Sequence, residues 1–277
     1  MKTKYYLTMG VLLVSSFLAL SCTYLKYVTA NKIYITKKVD IPEFSSLQQA
    51  GSIDVVYRQE PGKPRVEIYG SDNIVPLVIT EVKNNVLIVR FRPNTYIRNT
   101  GKLEVRVFSP EMKNISLSGS GELRMPDGVK SDSDLSVSLT GSGDLKGKFV
   151  QCQKLSVQLT GSGDLSLQNV ICSDFSACVN GSGDMSLYAV KGSKGLAVIH
   201  GSGDVKLSGE MDEMDYQCTG SGDIYAKKLK ANNVSVASSG SGDIDCYASK
   251  AIKGSIHGSG SVNCDGNPAL VNMGKRR

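Results

Sequence analysis

The chain contains no Trp, and aromatic residues make up only 6% of its 277 residues. That scarcity argues against a core built on large rings and leaves few platforms for stacking sugars. Proline is also rare, 8 residues against 29 glycines, which sets aside a disordered Pro/Gly tract. A basic stripe is missing where it would count. Residues 1–118 hold 16 Lys/Arg against 9 Asp/Glu, whereas residues 119–277 hold 16 against 17. The second half is close to neutral, and no nucleic-acid footprint is expected there. The 7 cysteines show no zinc-ligand spacing.

The N-terminus has the form of an export signal. Lys2 and Lys4 precede a mostly apolar run from Leu7 to Leu20, short for a membrane span. Ser21-Cys22 comes next, and a Cys at this point resembles the lipidated residue of a bacterial lipobox. Ala19 stands where Leu is usual. Cleavage after Val28-Thr29-Ala30 and retention as an uncleaved anchor are the alternatives. All three put the body of the protein outside the cytoplasm. Residues 1–22 are thus assigned to the signal and 23–32 to a linker.

From residue 33 to 118 the pattern is β without a repeat. Ile53, Val55 and Tyr57 alternate with other residues, as do Val66 and Ile68, then Val86, Ile88 and Arg90, then Leu103, Val105 and Val107. Period two over short runs predicts half-buried strands. Pro61-Gly62, Asn84-Asn85 and Asn99-Thr100-Gly101 mark turns. This region supplies either the first rungs of a larger β structure or a cap for it.

Residues 119–264 are eight copies of a unit centred on Gly-Ser-Gly-Asp. The first Gly falls at 119, 141, 161, 181, 201, 220, 240 and 258, with spacings of 22, 20, 20, 20, 19, 20 and 18. A fixed period near twenty predicts a solenoid. The flanks choose its type: Leu155, Val157 and Leu159 alternate before one motif, and Leu165 and Leu167 after it, which is strand periodicity. Four residues after each first Gly stand Leu123, Leu145, Leu165, Met185, Val205, Ile224, Ile244 and Val262. Two before it stand Leu117, Leu139, Leu159, Val179, Ile199, Cys218, Ser238 and Ile256. One unit alone cannot bury these columns. Stacked units bury them as ladders with rungs about 4.8 Å apart, in a rod on the order of 35 Å long. The predicted fold is an all-β, right-handed parallel β-helix, followed by a basic tail over residues 265–277.

The motif joins two strands, so it is a corner. Gly141, Gly143, Gly161, Gly163, Gly181, Gly183, Gly201 and Gly203 are assigned as structural turns, because Gly tolerates positive φ and two of them allow a sharp bend that repeats from rung to rung. Ser and Asp can accept hydrogen bonds from backbone N–H groups at the bend. The competing reading is a calcium column along Asp144, Asp164, Asp184, Asp204, Asp223 and Asp243. Carboxylates one rung apart repel by roughly 0.8 kcal/mol in bulk water, which calcium would relieve. Otherwise no metal and no cofactor is expected.

His200 and His257 occupy the column before the first Gly, three rungs apart, about 14 Å, and are too distant to share a metal. Cys218, Cys246 and Cys264 follow the inward alternation as small apolar filler. Cys152 and Cys172 align one rung apart, as do Cys246 and Cys264. Either pair is within reach of a disulfide in an exported protein.

The serial Gly-Ser-Gly-Asp units, with the lead-in from Val39 to Phe44 and the segment Ile53 to Gln59, resemble the auto-transporter adhesin, head-GIN-domain family of exported bacterial proteins. The resemblance spans roughly residues 35–265. It implies a pectin-lyase-like β-helix, a Bacteroides-type source and an adhesive role, and it carries no catalytic residue over. The expected function is therefore that of an anchored β-helical binding protein. Its partners would be a glycan or protein ligand at the surface and the membrane through a lipid anchor at Cys22. The expected location is the outer membrane or cell surface, with the periplasm as the alternative.

An envelope structural or self-assembling component, joined end to end, is the second reading. A polysaccharide lyase or hydrolase is the third. It needs convergent carboxylates and cleft walls, and rungs held to 18–22 residues leave no long loop to build them. Tyr188, Tyr216, Tyr225 and Tyr247 are the only tyrosines in the repeats, and Tyr216 is predicted to point inward.

Overall fold

In the computed structural model the described residues are 26–98 and 101–274. Cys22 and Lys275 to Arg277, with their expected lipid and basic-tail roles, lie outside them. The described chain is almost entirely strand, with one short 3-10 turn at Val75–Leu77 and no α-helix. It forms a parallel β-helix. The first glycines of the motif stack in register from Gly119 to Gly258, each pairing with the next through parallel strands.

The two predicted columns face inward. Leu123, Leu145, Met185, Val205, Ile224 and Ile244 are fully buried, and so are Leu139, Leu159, Val179 and Ile199. Each such aliphatic side chain stabilises the fold by about 1.5–3 kcal/mol relative to exposure. Tyr216 is buried too, as its place in the alternation predicts.

The ladder runs further than the motif. Ser46–Gly51 and Asp54–Gln59 form a rung beneath the first Gly-Ser-Gly corner, with Gly51 in register with Gly119 and Val55 with Leu123. Its corner reads Gly51-Ser52-Ile53-Asp54, without the second glycine. At the other end Leu270–Gly274 pairs with Ala251–Ser255 and continues the ladder.

Below the first rung the topology turns partly antiparallel. Tyr34–Asp40 pairs with Arg65–Ser71, which pairs with Glu104–Ser109, and the latter lies parallel to Asp54–Gln59. Val78–Lys83 and Val86–Phe91 form a hairpin about Asn84 and Asn85, whose φ values of 50° and 65° suit a tight hairpin turn. Val86–Phe91 in turn lies parallel to Ser46–Gly51. These strands cover the backbone groups that an open first rung would expose.

One predicted face is reversed. In Val86–Phe91 the structure buries Leu87 and Val89 and leaves Val86, Ile88 and Arg90 half-buried. This strand is apolar on both faces, so alternation cannot set its phase. Register against Ser46–Gly51 decides it instead.

Candidate functional site

The corner is the most repeated feature, and its two glycines differ in backbone conformation. The first glycine of each motif, from Gly119 to Gly258, has φ between 120° and 138°, a region that side chains rarely adopt. Gly141, Gly161, Gly181 and Gly201 belong to this set. The second glycine does not share that conformation. At Gly143, Gly163, Gly183 and Gly203 a Cβ would fall 2.1–2.3 Å from the carbonyl oxygen of the glycine one rung below. Positive φ is thus confined to the first glycine of each pair. The first sets the bend, and both let backbones approach at rung spacing, since a Cβ at Gly141, Gly161, Gly181 or Gly201 would also fall 2.2–2.4 Å from the glycine carbonyl oxygen one rung below. Ser162 and Gly163 N–H groups both donate to the Gly141 carbonyl, at 2.9 and 3.1 Å, and the pattern recurs at later rungs.

The aspartates form a ladder of their own. Asp184 N–H donates to Asp164 Oδ1, Asp204 N–H to Asp184, Asp223 N–H to Asp204 and Asp243 N–H to Asp223, at 2.7–3.4 Å. Ser261, which replaces the last Asp, donates both N–H and Oγ to Asp243. One carboxylate oxygen of each lower residue thus satisfies a backbone donor above it. Lysines neutralise part of the column: Lys146 Nζ bridges Asp144 and Glu122 at 3.0 and 3.2 Å, and Lys206 lies 3.7 Å from Asp184. No group of three or more His, Cys, Asp or Glu side chains converges on a metal position among the described residues. The motif serines, Ser142 through Ser259, line the edge as exposed hydroxyls.

His200 and His257 are exposed on separate rungs. The six described cysteines are free thiols. Burial pushes the Cys152 thiol up to about 11 and Cys172 to about 12, so both stay protonated and unreactive near neutral pH. Cys246 and Cys264 lie opposite each other on adjacent strands.

A charged cleft of about 520 Å³ lies over the first rungs, a feature that the sequence did not disclose. At its centre Glu104 is only 7% exposed. Arg106 Nε donates to it at 2.8 Å and Arg124 Nη2 at 3.2 Å, with Lys102 at 3.7 Å. Burial alone would raise its pKa. The Arg106 hydrogen bond and the three positive charges outweigh burial and hold the carboxyl below its usual range. Arg58 pairs with Asp127, and Arg65 with Glu60 at 2.7 Å while stacking 3.9 Å over Phe108. The cleft neutralises itself, and an ionised, hydrogen-bonded Glu104 is ill suited to proton transfer near neutral pH. Its only sequence signal is the charge alternation of Glu104 and Arg106 with Arg124 a rung above.

Set beside known proteins, the chain matches the model of the family described as "Putative auto-transporter adhesin, head GIN domain" over residues 43–191 and 168–268. A crystal structure of a "putative adhesin" from Bacteroides fragilis is 28% identical, covering 90% of this chain and 96% of its own, with a TM-score of 0.54. Another from Parabacteroides merdae is 25% identical, covering 91% and 98%, with a TM-score of 0.63. A third, from Parabacteroides distasonis, shares the fold at 22% identity and a TM-score of 0.81, over 87% of this chain and 100% of its own. No protein of curated function matches.

Proposed function

From the premise that the chain belongs to that adhesin family, we propose that it is an exported, envelope-anchored β-helical adhesin that binds a surface ligand without catalysis. The observation that carries this reading is the exposed outer surface of a stacked rod, in which side chains repeat at rung spacing. Such a surface suits contact with an extended partner. From Gly119 onward, rungs of near-constant length supply no walls for a catalytic cleft, and the charged cleft beside the long excursion of the first rung is neutralised internally. The signal segment and Cys22 support export and a lipid anchor in the outer membrane.

Cells carrying the gene should adhere to immobilised host mucin and matrix glycoproteins more than cells lacking it. Equal adhesion across that panel would contradict the reading. Radiolabelled palmitate should enter the wild-type chain and be absent from Cys22→Ser. External protease should cleave the protein on intact cells if it faces outward, and spare it if it is periplasmic.

An envelope structural component that associates end to end is the second reading. It is favoured by the strand Leu270–Gly274, which pairs only with Ala251–Ser255 among the described residues and leaves Leu270 and Val271 about 64% and 63% exposed. Light scattering should then show an oligomer that Val271→Lys dissociates; a monomer at all concentrations would sink this reading.

A further inference from the structure

One rung breaks the regularity of the solenoid. The unit beginning at Gly201 is 19 residues long, between neighbours of 20 on each side. Its neighbours must each accommodate one extra residue, and they do so at the same place. On the rung below, pairing shifts between Leu187 and Val190, so Tyr188 and Ala189 bulge opposite Ser208. On the rung above, pairing shifts as Lys206 gives way to Ser208, so Ala226 and Lys227 bulge opposite Leu207. Bulges redirect side chains and gather near functional sites. Ala189 is held at φ 52°, rare for a residue with a Cβ, and its N–H donates to Ser208 Oγ at 3.1 Å.

The short rung is recessed between the two bulges, and the depression is a groove of about 590 Å³. That volume falls in the range of about 300–1,000 Å³ typical of small-ligand sites. Two of the few aromatic side chains of the repeats line it: Tyr188 and Tyr225, 39% and 42% exposed. They stand two rungs apart, about 10 Å along the stack, with Tyr188 two residues further along its strand than Ser186, the residue in register with Tyr225. The Tyr225 hydroxyl donates to Asp223 Oδ2 at 2.9 Å, which fixes the ring in place. Of the lining lysines, Lys206 and Lys227 are already paired, with Asp184 at 3.7 Å and Asp245 at 3.6 Å. Lys228, opposite Ser208 and exposed, has no carboxylate partner among the described residues. Exposed rings offer faces for the C–H side of a pyranose, the surrounding Asp and Ser groups offer hydrogen bonds to hydroxyls, and the unpaired ammonium calls for an anion.

We propose that this groove binds an acidic oligosaccharide, with sugar rings stacked on Tyr188 and Tyr225 and a uronic- or sialic-acid carboxylate on Lys228. The proposal rests on the adhesive reading for its setting and names the ligand class of that reading.

Titration calorimetry on the purified full chain tests it with four probes: trigalacturonate, sialyllactose, carboxyl-reduced trigalacturonate and a hexaglutamate peptide. One acidic saccharide should bind, and which of the two does so identifies the source of the carboxylate. The reduced, neutral probe should bind about fivefold more weakly than trigalacturonate where the latter is the ligand. Lys228→Gln should weaken acidic-saccharide binding by about the same factor. The double variant Tyr188→Ala/Tyr225→Ala should lose about tenfold or more with an unchanged Tm. Tyr225→Phe keeps the ring and should retain most of the binding. Should the double variant not fold, Lys228→Gln and Tyr225→Phe decide the matter.

Binding by neither acidic saccharide, undiminished binding after Lys228→Gln, or preference for hexaglutamate would overturn the proposal. Cell adhesion that persists in the tyrosine variants would overturn the site while leaving the adhesive reading standing. Saccharide binding without cell adhesion would do the reverse.

Discussion

At each corner only the first glycine needs a positive φ, while both lie against the backbone of the rung below, and the first rung shows the difference. Gly51 has the positive φ of a first glycine, 93°, yet the second position is held by Ile53. A Cβ at Gly51 would meet nothing within 4 Å, whereas one rung above a Cβ at Gly119 would fall 2.3 Å from the Gly51 carbonyl and one at Gly121 2.4 Å from the Ile53 carbonyl. The second glycine is therefore needed where another rung's corner lies beneath it. Gly163→Ala should accordingly destabilise the protein by about 2–3 kcal/mol in urea titration, and Ser162→Ala, at an exposed position, should change it by less than about 0.5 kcal/mol. The aspartate ladder makes a second prediction. Asp204→Ala leaves the Asp223 N–H without its acceptor and should cost about 1–2 kcal/mol. Asp204→Asn keeps an acceptor oxygen and should cost little. The sequence revealed the corner because every unit repeats it. It could not show that the first glycine meets both constraints and the second only one, since φ and close approach demand the same residue.

At the scale of elements, the strands over the first rungs depend on a charge cluster. Glu104→Gln would leave Lys102, Arg106 and Arg124 facing a neutral group, a loss of about 1–3 kcal/mol at neutral pH. The Glu104 carboxyl titrates lower in the folded chain than in the unfolded one. Its stabilisation is thus fully present above the unfolded value, near 4.3, and is lost as pH falls through the lower folded value. Urea midpoints of wild type and Glu104→Gln should therefore differ at pH 7 and converge on acidification; a difference that persists in acid would refute the assignment. The repeat strands were legible because their two faces differ in polarity. The strand Val86–Phe91, apolar on both faces, was not. The first rung was hidden because Ile53 breaks the motif, and the groove at the short rung was hidden because a one-residue deletion shows only as a spacing of 19.

On the scale of the whole molecule, the residues that build the rod are distinct from those that the rod presents. The Gly-Ser-Gly-Asp motif is the loudest feature of the sequence, and its glycines and carboxylates are occupied in joining one rung to the next. With those oxygens engaged, millimolar calcium and a chelator should give the same Tm; a clear rise with calcium would restore the metal column. The outer faces of the strands carry exposed tyrosines and lysines, the surface on which the proposed adhesion would rest. The most direct test removes the part of the motif that is exposed and leaves the architecture intact. Adhesion of cells carrying the triple variant Ser162→Ala/Ser182→Ala/Ser202→Ala should equal wild type, with an unchanged Tm for the purified chain. Loss of adhesion at unchanged Tm would show that the motif edge is itself the binding surface and would contradict this division of roles.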